Sequence, residues 1–382
     1  MISVLVVDDS ALVRRVVTDA LAEDPQIQVV GTASNGRLAL VKIEQLLPDL
    51  ITLDIEMPEM DGLATLKELR KTRARLPVIM FSTLTETGAT ATLNALALGA
   101  SDYVTKPSNT GSFAQARKNV QDQLIPRIHA LCQRPGSSAR AAPAGQPAPA
   151  APAGPAAPPA PPVRALPPVT ATPARPKADR VDLVAIGCST GGPDALTKVI
   201  CGLPASFPVP IVVVQHMPPV FTRMFAQRLD RSAPMRVVEA SDGVTLEPGC
   251  LYVAPGDHHL EVVRGRNLVQ TRLTQAPPEN FCRPAVDVLF RSVAPVYGAN
   301  TLAVVLTGMG HDGLAGCHLL RARGAEIIVQ DQASSVVWGM PGVVAEAGIA
   351  DSILPLDRVA SHVVSRAAQG RGTQPKAVAS WR

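Results

Sequence analysis

Aromatic residues are scarce. Phe, Trp and Tyr together make up 3 % of 382 residues, which removes the stacking platforms on which single-strand nucleic-acid binders rely. No apolar run approaches the roughly 18 residues that a membrane span needs. Asp8 and Asp9 interrupt the N-terminus where a signal peptide would carry its apolar stretch. The six cysteines (Cys132, Cys188, Cys201, Cys250, Cys282 and Cys317) include no Cys-x-x-Cys pair, so reduced thiols in a cytoplasmic protein are expected. Acid is absent from residues 134–178, which carry Arg134, Arg140, Arg164, Arg175 and Lys177. The tail from Arg366 adds Arg371, Lys376 and Arg382. The formal charge of +4 is therefore concentrated in these two stretches, and the rest of the chain is slightly acidic. A basic groove for nucleic acid is excluded.

What is present is apolar and periodic. With 46 % hydrophobic residues, the chain is long enough for two or three domains, each with its own core. Its 36 prolines exceed the average share of about 5 %, and more than a third of them fall in 134–178 among alanines. Such a stretch cannot offset its ordering entropy by burial. It predicts a disordered Pro/Ala-rich linker over 133–179, between domains at 1–132 and 180–365, with a flexible tail over 366–382.

Both domains read as α/β. In the first, strand runs at 4–7, 29–33, 50–54, 78–82 and 103–105 alternate with helical patterns. The helix over 11–22 sits behind a Ser10 N-cap. In the second, buried-strand runs stand at 181–187, 211–215, 302–306 and 326–329. Residues 251–254, 260–263 and 268–273 alternate around an Arg264–Gly265–Arg266–Asn267 turn and predict an antiparallel hairpin appended to the sheet. The fold class is thus two doubly wound, mainly parallel sheets with right-handed crossovers.

Ligands of such sheets lie beyond the carboxyl ends of the strands. There the first domain gathers Asp8, Asp9 and Asp54, with Lys106 and the Ser82 hydroxyl in reach. Three converging carboxylates call for a cation, and hard oxygen ligands suit Mg²⁺. The set fits phosphoryl transfer to Asp54, with Lys106 and Ser82 on the phosphoryl oxygens. VLVVDDS, LDIEMPEMDG, PVIMFST and GASDYVTKP, in this order, resemble a response-regulator receiver domain across residues 1–125, a flavodoxin-like fold. The resemblance implies that Asp54 is the phosphoacceptor. It also implies that Asp8, Asp9 and Asp54 hold Mg²⁺ with the Glu56 carbonyl, that Ser82 and Tyr103 relay the switch, and that Lys106–Pro107 is cis.

In the second domain, Gly187-Cys188-Ser189-Thr190-Gly191-Gly192 joins a buried strand to a helix. A serine there is exposed at the sheet edge, beside helix N–H groups suited to a developing negative charge. A phosphate- or dinucleotide-binding turn is the rival, but the Gly-x-Gly-x-x-Gly spacing, the Walker lysine and the ribose-binding acid are missing. Among the histidines, His216 closes the next long strand at the same edge and is the expected base. His129 lies by the linker, His258 and His259 are expected to face solvent, His318 falls in a helical pattern, and His311 ranks second. Asp312, after the strand at 302–306, fits the role of orienting the imidazole; a helix N-cap is its bland alternative, and both roles can coexist.

AIGCSTGGP, VVVQHMPP, RPAVDVLF, VVLTGMGHDG and SSVVWGMP resemble the catalytic domain of chemotaxis protein-glutamate methylesterases across residues 180–360. That resemblance implies a Ser189 nucleophile, a His216 base and an Asp312 orienter, with the Thr190 and Met309 amides as oxyanion hole and no cofactor for the ester reaction. It implies demethylation of glutamate esters, and deamidation of glutamines, on the cytoplasmic helices of chemoreceptors. A chemotaxis sensor histidine kinase would be the phosphodonor, and the receiver would cover Ser189 until phosphorylated. The expected protein is a cytoplasmic monomer that neither binds nucleic acid nor inserts in a membrane. Two departures stand out: the linker is longer than usual, and Asp331-Gln332 replaces a common acidic pair. A phosphorylation-dependent adaptor is the alternative, but a binding module needs no strand-end triad. A DNA-binding regulator fails on charge and on the lack of a helix-turn-helix pattern.

Overall fold

Runs of β-branched residues in this chain are followed by amphipathic stretches that begin at a polar cap, and strand and helix alternate accordingly. In the computed structural model, residues 1–106, 112–132, 178–266 and 268–371 are described. The linker expected over 133–179 (save its last two residues), the Lys106–Pro107 peptide and residues 372–382 lie outside them. The described residues on both sides of the linker pack into one compact unit.

The N-terminal half runs β1 (Ile2–Val7), α1 (Ala11–Leu21), β2 (Ile27–Ala33), α2 (Gly36–Leu46), β3 (Leu50–Asp54), α3 (Gly62–Thr72), β4 (Val78–Ser82), α4 (Glu86–Ala97), β5 (Asp102–Thr105) and α5 (Phe113–Cys132). Ser10, Asn35, Asp61 and Thr85 each accept an amide of the helix they open, satisfying donors that a helix leaves orphaned. The strands form a parallel sheet in the order β2-β1-β3-β4-β5.

The C-terminal half runs β6 (Leu183–Cys188), α6 (Gly192–Cys201), β7 (Ile211–Gln215), α7 (Pro219–Ser232), β8 (Arg236–Glu239), β9 (Cys250–Val253), β10 (His259–Arg264), β11 (Val269–Thr274), α8 (Val286–Tyr297), β12 (Thr301–Val305), α9 (Leu314–Ala322), β13 (Glu326–Gln330), α10 (Met340–Glu346), β14 (Ser352–Leu354) and α11 (Leu356–Ala368). Seven strands form a parallel sheet ordered β14-β13-β12-β6-β7-β9-β8. The chain leaves β6 toward β7 and later returns to its other side as β12. The crevice at the carboxyl end of β6 is therefore a topological switch point.

Three expectations need correction. Residues 251–254 do not belong to the hairpin: β9 lies inside the main sheet, parallel to β7 and β8, and only β10 and β11 pair antiparallel. A short buried strand and a hairpin strand carry the same apolar signal, and the sheet had room for one more. His259 does not face solvent; it is fully buried, with Nε2 3.1 Å from the Pro277 carbonyl and Nδ1 accepting the Ala285 amide at 3.2 Å. The first residues of the expected tail belong to the fold. Arg366 is buried against Glu326, and Arg371 reaches Asp182 Oδ1 at 3.0 Å. The edge strands β8 and β14 escaped sequence reading because they are short and only partly buried.

One apolar layer buries α8 and α9 against the sheet. Phe290 lies at its centre with no exposure, and α9 approaches so closely that a Cβ on Gly316 would fall 2.5 Å from Phe290 Cβ. Such close packing relaxes only partly when atoms are removed. Phe290→Ala is expected to destabilise the C-terminal half by about 3–5 kcal/mol, read as a lower urea midpoint at unchanged slope.

Candidate active site

Three loops leave the switch point of the larger sheet, and each brings one of the expected residues. Ser189 follows β6 on a sharp turn made possible by Gly191, whose φ of +76° lies in the left-handed region. The turn is tied down through its backbone: Ser189 N donates to Thr307 O (3.1 Å), and the buried Gln215 amide donates to Ser189 O (3.0 Å). Gly308, after β12, runs so close that a Cβ there would sit 2.9 Å from Ser189 Cβ. Only glycine lets the two loops meet.

His216 follows β7, and its Nε2 donates to Asp312 Oδ2 at 2.8 Å. Nδ1 lies 3.5 Å from the thiol of Cys282. Asp312 is 2 % exposed. It does not cap the helix that follows it, since α9 has Gly313 at its N-cap position and no side-chain cap. Its carboxylate instead receives the first two amides of α8, Val286 N at 2.6 Å and Asp287 N at 3.0 Å. The expected cap of the following helix is therefore not made; the carboxylate meets the start of α8 instead. Burial raises the pKa of this carboxyl, but the His216 bond and the two amides outweigh it and hold Asp312 below the usual range. Burial pushes His216 down; the Asp312 and Cys282 contacts win, and it is raised to about 9.

Ser189 is brought to the same edge but is not joined to the pair: among the described residues its hydroxyl makes no hydrogen bond to His216. The Thr190 and Met309 amides, likewise among the described residues, have no acceptor, which leaves two donors free at the mouth. His311 and His318 are exposed, and among the described residues neither imidazole hydrogen-bonds to Asp312. His129 pairs with Asp24 at 2.7 Å, and His258 lies over the Gly256 carbonyl. Asp331 organises its own turn by accepting Ser334 N at 3.0 Å.

A second polar site crowns the smaller sheet. Carboxylate oxygens of Asp8, Asp9 and Asp54 lie within 4.8 Å of one another. Lys106 Nζ is 2.7 Å from Asp54 and 3.0 Å from Asp8. Burial raises Asp54 to about 6, and the neighbouring Asp8 adds to the effect while Lys106 opposes it. Three carboxylates against one ammonium leave excess negative charge, so the donor set fits a hard divalent cation. Glu56 is exposed at the rim. Ser82 departs from expectation: its hydroxyl is turned to α4, donating to Gly88 O (3.1 Å) and accepting from Thr92 (2.7 Å). Buried acceptors on the neighbouring helix hold it there rather than in the carboxylate pocket.

Comparison with known proteins gives the family. Residues 184–363 match the CheB methylesterase family model, and residues 4–118 match the response regulator receiver domain. A protein-glutamate methylesterase/protein-glutamine glutaminase of Nocardioides sp. is 52 % identical over 97 % of this chain and 96 % of its own length. One from Trichodesmium erythraeum is 50 % identical over 95 % of this chain and 98 % of its own. The crystal structure of the Thermotoga maritima CheB methylesterase catalytic domain shares 43 % identity, covering 48 % of this chain and 98 % of that one, with a TM-score of 0.48. The chain belongs to the protein-glutamate methylesterase/protein-glutamine glutaminase family.

In this family member the receiver reaches the turn that carries Ser189 directly. Asp102, at the start of β5, accepts the Thr190 hydroxyl at 2.7 Å and pairs with Arg127 at 3.1 Å. Next to it, Tyr103 is buried and stacks on Phe221 of α7, centroids 4.7 Å apart and planes 5° from parallel. Glu86 of α4 pairs with Arg223 of α7. Sequence reading singled out Tyr103 but missed Asp102, Cys282 and Asp287. The first and last lie inside quoted motifs, yet nothing local marks a strand-start or helix-start acid as a site contact.

The His216 titration follows from its partners. In the wild type the imidazole should titrate near 9, followed by NMR of the labelled ring. In Asp312→Asn, burial prevails and the midpoint should fall below the ordinary value of about 6.5.

Proposed function

We propose that this chain is a phosphorylation-controlled serine hydrolase of chemoreceptors, with a receiver over residues 1–132 and a catalytic domain over 180–365 joined by 133–179. It removes methyl groups from γ-glutamyl esters on receptor cytoplasmic helices, releasing methanol, and converts receptor glutamines to glutamates, releasing ammonia. The observation that carries the reading is the 2.8 Å His216–Asp312 bond at the edge where Ser189 stands half-buried.

Ser189 Oγ attacks the ester carbonyl carbon. With Nε2 committed to Asp312, Nδ1 is the nitrogen that takes the hydroxyl proton, and Asp312 stabilises the resulting imidazolium. The tetrahedral oxyanion lies against the free Thr190 and Met309 amides. Collapse breaks the bond to the methoxy group, which leaves as methanol with the proton from His216. Water, deprotonated by the same imidazole, then attacks the acyl-enzyme, releasing the glutamate carboxyl and regenerating Ser189. For a glutamine the imidazolium protonates the poorer leaving group, ammonia.

Control comes from the docked receiver. Asp54 accepts a phosphoryl group from a chemotaxis sensor histidine kinase, and Lys106 pairs with it. Mg²⁺ would be held by Asp8, Asp9, Asp54 and the Glu56 carbonyl, neutralising phosphoryl charge when bound. Phosphorylation draws on Lys106, four residues beyond Asp102, and loosens the Asp102–Thr190 and Tyr103–Phe221 contacts that close the Ser189 mouth. Ser82, in changing partners from α4 to the phosphoryl group, joins the same switch. The protein acts as a cytoplasmic monomer.

Methanol release from a methylated receptor fragment, with and without a small phosphodonor, tests the reading. Ser189→Ala should lower turnover by about 10⁶-fold; near-normal turnover would refute the triad. In the unphosphorylated full chain, Asp102→Ala should raise the basal rate by about tenfold, the equilibrium value of one charge-assisted hydrogen bond. An Asp54→Asn chain should show no response to phosphodonor.

A further inference from the structure

The Asp312 carboxylate has one more partner, supplied by a turn that no motif marked. Glu279 and Cys282 exchange backbone hydrogen bonds (3.1 and 2.9 Å). Between them Asn280 and Phe281 stand at φ +52° and +63°, a region that asparagine enters more readily than most residues. The turn is pinned to α8 by Arg291, whose guanidinium takes the two Glu279 oxygens at 2.9 and 2.6 Å. Fixed in this way, Asn280 Nδ2 lies 2.9 Å from Asp312 Oδ1 and 3.0 Å from Asp287 Oδ2.

One amide therefore bridges two buried carboxylates. Asp287 is 2 % exposed, and its other oxygen accepts Gly316 N at 2.6 Å. Side by side, two such acids repel, and each keeps its charge at the other's expense. The two N–H groups of Asn280 oppose this by giving each carboxylate a donor. They also fix the plane of Asp312 so that its other oxygen meets Nε2.

We propose that Asn280 is a positioning residue of the hydrolase, holding Asp312 in place against His216 and separating its charge from that of Asp287. The kinetic consequence rests on the function proposed above; the geometric one does not. Removing the amide leaves both carboxylates less compensated, and their added negative potential favours the imidazolium. His216 should then titrate at higher pH, and the neutral base should be reached later. The other charged or titratable groups around the imidazole are Cys282 and Glu279 on the turn, the Asp257–Arg283 pair at the cleft, and Arg127 with Asp102 on the receiver side. Deleting the Asn280 amide changes none of them.

Asn280→Gly tests this, because glycine keeps the left-handed turn while deleting the amide. In the full chain, kcat for methanol release should fall roughly tenfold to a hundredfold with KM within about twofold. The acid limb of kcat/KM should move to higher pH, and the His216 midpoint should rise by about half a unit or more. A turn that matters only for its backbone shape would leave all three unchanged, and that result overturns the proposal. Asn280→Asp, isosteric and at home in the same turn, serves if the glycine variant fails to fold; it should raise the midpoint further, and an unmoved midpoint is equally fatal. A wild type that releases no methanol would refute the proposed function alone, since the His216 midpoint still decides whether Asn280 positions Asp312.

Discussion

The structure turns on how one buried negative charge is kept. A carboxylate taken out of water costs several kcal/mol unless it is paired and hydrogen-bonded, and Asp312 is almost wholly enclosed. It is held by four donors from three separate places: His216 at the end of β7, two amides at the start of α8, and Asn280 on the preceding turn. The α8 N-terminus adds the favourable end of its dipole. The loop after β12, the helix across the sheet and the strand-end histidine are therefore tied into one geometry, and the tautomer of His216 follows from it.

The same edge of the sheet is where the receiver attaches. Asp102 and Tyr103 are consecutive, so their side chains leave β5 in opposite directions. One holds the Thr190 hydroxyl beside Ser189, and the other stacks on α7. Lys106, just past the end of β5, carries the ammonium that pairs with Asp54 and Asp8. A single short strand thus runs from the Asp8–Asp54 carboxylate pocket to the turn that carries Ser189. The interface mixes aliphatic packing with polar and aromatic pairs: Ala89, Leu93 and Leu96 of α4 share one apolar cluster with Phe221 and Phe225 of α7, beside the Asp102–Thr190 and Glu86–Arg223 pairs.

How much of this was legible depended on whether the signal was local. Ser189, His216 and Asp312 each follow a strongly apolar strand, so periodicity alone put all three at carboxyl ends. Asp8, Asp9, Asp54 and Lys106 were readable in the same way. The hairpin was misread at residues 251–254 because a four-residue apolar run does not say which sheet it joins. His259 was misplaced because burial of a histidine is settled by partners from distant segments, here Pro277 and Ala285. Ser82 was placed at the right strand end, but its hydroxyl rotates freely, and the neighbouring α4 offered it buried acceptors.

The amino-acid order by itself determined the two parallel sheets, the residues at their carboxyl ends and the chemistry those residue types can perform, because side-chain periodicity and turn composition act over a few residues. Only the tertiary structure decided that Asp312 takes the Nε2 nitrogen of His216, that it caps α8 rather than α9, that Asn280 and Asp287 share its pocket, and that Asp102 reaches Thr190. Those choices depend on which segments, far apart along the chain, are brought within hydrogen-bond distance, and packing of the whole unit sets that distance.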